Sequence, residues 1–211
     1  MTDQGYRHIT LVVDRSLSMT GCRADTEAGI RQFITGQRNI PGRTTVSLWQ
    51  FDTSIDEVHA MADISDPALL GFELVPRGST ALLDATGFAI SALGADLRAL
   101  PDDQRPGTVI MVVATDGQEN ASREYGPAQV RDMITRQQEK YGWVFYFIGA
   151  DQDAFTAGHA MGYTAGTTMT TTSVSLGTAL AATSGAVTRG SSGGTYDYST
   201  AERFAAMTPD S

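Results

Sequence analysis

Five oxygen-bearing side chains stand where they could share one cation. Residues 9–14 (ITLVVD) form a short apolar run that closes on Asp14, and Ser16 and Ser18 follow at alternate positions of the next loop. Residues 108–114 (TVIMVVA) lead into Thr115-Asp116-Gly117, and Arg77-Gly78-Ser79-Thr80 precedes a long helical pattern. Two carboxylates and three hydroxyls are hard oxygen donors, which suit Mg²⁺ or Mn²⁺ and not soft or borderline metals. The same residue types are also common helix caps, so the spacing alone leaves that reading open.

Other chemistries find little support. Cys22 is the single cysteine, which excludes an internal disulfide and a cysteine-based zinc site. His8, His59 and His159 lie far apart, and Lys140 is the only lysine, inside a helical pattern with no Walker loop before it. Gly190-Ser191-Ser192-Gly193-Gly194 fits the spacing of a nucleophile elbow, but no apolar strand precedes it and no histidine follows it.

The elements needed to position the five oxygens are legible. The runs 9–14, 108–114 and 143–148 (WVFYFI) are continuous and apolar, as in strands buried on both faces. Between them lie helical patterns over about 23–37, 81–100 and 127–141; Pro127 suits a first helical position, and Gly142 suits a stop. A further helix is expected from about Asp151 to Gly162, with Asp151 and Asp153 as its acidic start. Residues 45–51 and 58–64 are too close for a parallel crossover, so they should pair antiparallel at a sheet edge. The fold class is therefore α/β: a doubly wound, Rossmann-like open sheet of about six strands, mostly parallel, with helices on both faces. Ligands bind such sheets beyond the C-terminal strand ends, where the five oxygens fall.

Residues 1–189 read as one domain, with a core over 6–162 and a final helix over about 176–187. Residues 190–211 read as a flexible Gly/Ser-rich tail with a short helix near 198–207. The chain has 211 residues and a net charge of −9, which disfavours nucleic acid and anionic membranes as partners. With no basic leader, long apolar stretch or disulfide, a cytoplasmic location is the expectation.

The DxSxS pattern at Asp14, Ser16 and Ser18, Thr80 before a helix, and the Thr115-Asp116-Gly117 turn together resemble a von Willebrand factor type A (vWA) domain with its metal-ion-dependent adhesion site. Residues 78–85 (GSTALLDA) and 115–120 (TDGQEN) resemble the small intracellular bacterial or phage members. The resemblance implies that Ser16, Ser18 and Thr80 ligate Mg²⁺ or Mn²⁺ directly, that Asp14 and Asp116 bind mainly through water, and that a partner's Asp or Glu completes the octahedron. Leu17 stands where the family often has Gly. Family members of this kind often work beside AAA-type ATPases or within larger complexes.

The physical logic agrees with that implication. Neutral hydroxyls leave a cation under-neutralised, so it attracts an external anion, and the positive end of the following helix favours the same anion. Arg15, Arg77 and Glu119, near the expected rim, are candidate partner contacts. The main reading is a metal-dependent protein-interaction module rather than an enzyme. The alternatives are a structural or virion-assembly component and, more remotely, a Mg²⁺-dependent hydrolase or phosphoryl-transfer enzyme, for which no general base is evident.

Overall fold

The computed structural model describes residues 1–150 and 154–207; the expected helix start at Asp151 and Asp153 lies outside them. Six strands form one sheet: β1 (Asp3–Asp14), β2 (Arg43–Phe51), β3 (Ile55–Asp63), β4 (Pro106–Thr115), β5 (Val144–Ala150) and β6 (Thr168–Thr171). Their order is β3-β2-β1-β4-β5-β6, with only the β2–β3 pair antiparallel. This is the expected doubly wound sheet with an antiparallel edge.

The helices are α1 (Arg23–Arg38), α2 (Leu82–Ala99), α3 (Pro127–Tyr141), α4 (Ala154–Ala160), α5 (Leu176–Ser191) and α6 (Thr200–Met207). Alternate residues of the central strands feed two cores. Ile9, Leu11 and Val13 of β1 pack with Ile30, Phe33 and Ile34 of α1 and with Leu176, Leu180 and Val187 of α5. Val12 of β1 and Met111 and Val113 of β4 pack on the other face with Leu82 and Leu93 of α2 and Ile134 of α3. From β1 the chain crosses to β2 through α1. It returns through α2 to β4 on the other side of β1. The β1–β4 gap is thus the switch point at which the two crossovers diverge.

Local chemistry sets the boundaries. Pro127 opens α3, and Gly142, with φ of 68°, closes it in the left-handed conformation. The β2–β3 hairpin carries register irregularities opposite Met61, whose φ of 43° marks a bulge on the exposed edge strand. Strand β6 lies in a threonine-rich stretch that has no apolar run to signal it.

The segment expected as a flexible tail differs most. Gly190 and Ser191 belong to α5, and a Cβ on Gly190 would meet the Tyr196 ring at 2.3 Å. Tyr198 is buried and its hydroxyl pairs with that of Thr183 at 2.7 Å. Helix α6 then docks through the Arg189–Glu202 ion pair and through Arg203, which donates to carbonyls of Ala165, Gly166 and Thr168. Aromatic and charged side chains interleaved with the Gly/Ser run supply the anchoring that composition conceals.

Candidate metal centre

Strands β1 and β4 are parallel neighbours, so Asp14 and Thr115 end side by side at one sheet edge. Asp14 is fully buried. Its Oδ1 accepts the Ser16 amide at 2.6 Å and its Oδ2 accepts the Thr115 hydroxyl at 2.5 Å. Burial pushes this carboxyl up to about 6, against the stabilising hydrogen bonds from Thr115 and Ser16; the nearby Asp116 charge adds to the rise. Ser16 Oγ lies 3.0 Å from Ser18 Oγ, and Ser18 donates to Asp116 Oδ1 at 2.7 Å.

Gly117 shows how closely the remaining oxygens approach. A Cβ placed there would stand 3.0 Å from Thr80 Oγ1, 3.6 Å from Ser18 Oγ and 3.8 Å from Asp14 Oδ2. With Ser16 and Asp116 joined to Ser18, the five sequence-predicted residues form one connected polar cluster, and a larger side chain at Gly117 would crowd Thr80, Ser18 and Asp14. All donors are hydroxyl or carboxylate oxygens. Among the described residues, no group of three or more His, Cys, Asp or Glu is arranged to hold a metal. The residues fit a hard divalent cation and not a soft one.

Thr80 is held by its backbone. Its amide donates to Asn120 Oδ1 at 2.9 Å, and its carbonyl accepts the amides of Asn120 and Ala121 at 3.0 and 3.2 Å. Helix α2 has no cap from its own N-cap residue, Ala81. Glu119 and Ser122 supply one from across the loop: Glu119 Oε2 accepts Leu83 N at 2.9 Å, and Ser122 Oγ accepts Asp84 N at 3.0 Å. Asp84 reciprocates by accepting the amides of Arg123, Glu124 and Tyr125 at 2.8–2.9 Å. Residues 78–85 and 115–125 are therefore clasped together. Thr115, Asn120, Asp84 and Ser122 were not read from the sequence as site-forming. The only sequence signal for Thr115, Asn120 and Asp84 is membership in the two segments that carried the family likeness, and Ser122, two residues past the second, has none.

The three rim candidates have different fates. Arg15 is 8% exposed and turns toward the hairpin, bonding Asp52 at 3.2 Å, Ser54 at 3.2 Å and Asp56. Its backbone also ties Phe51 to Arg77. Glu119 uses both oxygens on Leu83, Ala121 and Ser122. Arg77 bonds Asp52 at 2.6 Å, yet its side chain stays 57% exposed. Burial acts to raise Asp52, but hydrogen bonds from Ser54 and Arg77 and the Arg15 charge outweigh it and hold the carboxyl below its usual range. Leu17, between the two serines, is 65% exposed. Cys22 is buried, and burial pushes its thiol up to about 11, which disfavours the thiolate.

No family model and no curated protein sequence matches the chain. Solved structures do match in shape. Proximal thread matrix protein 1 from the mussel byssus aligns at 19% identity over 84% of this chain and 45% of its own, with a TM-score of 0.58. A second structure of that protein, described as having a zinc-occupied MIDAS motif, aligns at 20% identity over 81% and 42%, with a TM-score of 0.57. A von Willebrand factor type A protein from Catenulispora acidiphila aligns at 12% identity over 87% and 43%, with a TM-score of 0.62. The fold is that of a vWA domain. The chain spans less than half the length of these three solved chains. At such identities the likeness establishes the vWA architecture, and the chemistry rests on the residues above. No helix among the described residues is long and apolar enough to cross a membrane.

Proposed function

We propose that this vWA fold is a metal-dependent protein-interaction module. Ser16, Ser18 and Thr80 would hold Mg²⁺ or Mn²⁺ through hydroxyls, with Asp14 and Asp116 behind them. The observation that carries this reading is the convergence of oxygens from two separate segments, Asp14 and Ser18 on one and Thr80 on the other, at Gly117 of a third. The bound cation would supply a Lewis-acidic position for a carboxylate of a partner protein. The chain's own part is to hold the hydroxyls in place. Asp14 already accepts two hydrogen bonds, which favours a supporting role over a direct one. Exposed Leu17 and Arg77 flank the site and are the side chains best placed to touch a partner, Arg77 meeting its acidic surface. A cytoplasmic, non-enzymatic adaptor is the setting that this chemistry fits best, and a larger complex or an ATPase is a fitting partner.

The test is thermal unfolding with Mg²⁺ and Mn²⁺ titrations on the wild type and on Ser16→Ala/Ser18→Ala, a change that leaves buried Asp14 in place. A cation that binds only the folded state at one hundred times its dissociation constant adds about 2.7 kcal/mol. Saturable stabilisation in the wild type alone supports the reading. Equal responses in both proteins, or none, would overturn it.

A further inference from the structure

At the opposite end of the sheet from the candidate metal centre, a cavity of about 400 Å³ opens between α2, α3 and the starts of β4 and β5. Its volume falls in the range of small-molecule sites. Ile90, Leu97, Val109, Met133 and Trp143 line it with apolar surface. Arg98, Arg105 and Arg136 also line it, and among the described residues no carboxylate does. In a chain with 24 acidic and 15 basic residues, an all-basic lining runs against the overall charge.

The three arginines are not equivalent. Arg105 is fully engaged: it bonds the carbonyls of Leu100 and Arg98 at 3.0 and 3.1 Å and pairs with Asp102 at 2.7 Å. Arg98 and Arg136 have no ion-pair partner among the described residues, and both are exposed. Tyr141, also on the lining, reports the local field: Lys140 and Arg136 hold its phenol below its ordinary range. Positive potential beside an apolar wall selects an amphiphile, because a hydrated inorganic anion gains nothing from the wall and a neutral oil gains nothing from the arginines.

We propose that this cavity binds a small organic anion, one carboxylate on an apolar body the size of a medium-chain fatty acid. The carboxylate meets Arg98 and Arg136, and the apolar body lies against Trp143 and Met133. The site needs no metal and shares no residue with the centre around Asp14.

The experiment is calorimetry of the full chain with sodium decanoate, 1-decanol and sodium acetate, all with EDTA present, alongside tryptophan emission. Decanoate should bind saturably, one per chain, and change the emission, with the change lost in Trp143→Phe. Decanol should bind at least about ten-fold more weakly, as expected for loss of a charge-assisted contact. Acetate should not bind measurably. Arg98→Ala/Arg136→Ala should lower decanoate affinity about ten-fold and leave decanol unchanged. Gly94→Leu, on the lining with only Arg98 Nη1 near its Cβ position, should block decanoate while keeping both charges. Absence of saturable decanoate binding would overturn the proposal. So would equal affinities for decanoate and decanol, acetate matching decanoate, or a double variant that folds and binds decanoate like the wild type.

Discussion

The Thr115 hydroxyl donates to Asp14 Oδ2 at 2.5 Å and accepts the Gly117 amide at 3.1 Å, so one side chain ties the β1 carboxylate to the β4 turn. Thr115→Val keeps the shape and removes the hydroxyl. It strips a buried carboxylate of a donor, a loss of about 1–3 kcal/mol. We expect a lower Tm and Mn²⁺ affinity reduced about ten-fold or more; calorimetric titration with wild-type affinity would refute the assignment. His8 carries a second prediction at this scale. Its ring nitrogens contact only the Thr45 and Thr10 hydroxyls, no charged group contributes to its shift, and burial holds its pKa near 3, against an ordinary 6.5. Between those values the unfolded chain carries the extra proton, so stability is intact above about 6.5 and falls as pH drops toward 3. Asp14, raised to about 6, acts in the opposite sense at mildly acidic pH. The informative quantity is therefore wild type minus His8→Gln. That difference should rise by about 1.4 kcal/mol per pH unit between pH 4 and 6 in denaturant titrations; a flat difference would remove His8 as the cause.

Among the elements, the loop from residue 116 to α3 has no regular structure and depends on two carboxylates. Glu119 accepts the amides of Leu83, Ala121 and Ser122, and Asp84 accepts those of Arg123, Glu124 and Tyr125. Each serves a distinct set of amides, so hydrogen exchange can separate them. Glu119→Gln should speed exchange at 83, 121 and 122, whereas Asp84→Asn should speed it at 123–125, each costing about 1–3 kcal/mol. Both should weaken metal binding through Thr80, which the same loop holds; uniform acceleration in both variants would mean that the clasp is not divided this way. This clasp also marks the limit of what residue patterns disclose. Strands β1, β4 and β5 were readable as continuous apolar runs, and the hairpin from its short connection. The clustering of the five oxygens was readable because strand ends in a doubly wound sheet meet at one edge. Beyond its place in the GSTALLDA segment, Asp84 carries no sequence sign of its role, since the amides that it accepts lie 39–41 positions away. Arg15 looked as fit for a partner as for solvent until Asp52, 37 residues on, was placed against it.

For the molecule as a whole, the question is how far the folded unit extends toward the C-terminus. Composition after Gly190 suggested a loose tail, yet α6 and the preceding turn cover the β6 edge and the end of α5. The buried groups there include Tyr198 and Ala206. The Thr171 hydroxyl, on the last strand, donates to the Ala206 carbonyl, and Tyr146, from within the sheet, donates to the Tyr196 carbonyl at 2.6 Å. Ending the chain after Ser192 would expose the apolar faces of α5 and β6 and remove the Tyr146–Tyr196, Thr171–Ala206 and Thr183–Tyr198 hydrogen bonds. Burial of one large side chain is worth about 1.5–3 kcal/mol, and each lost buried hydrogen bond about 1–3 kcal/mol. The shortened chain should therefore lose at least about 3 kcal/mol in urea unfolding, with a lower midpoint and increased binding of an apolar dye. Its metal response, set at the ends of β1 and β4, three and two strands away from β6, should persist at temperatures where it remains folded. An unchanged midpoint would mean that residues 193–207 contribute nothing to the core. A lost metal response in the folded truncated chain would instead couple the C-terminal helices to the site around Asp14.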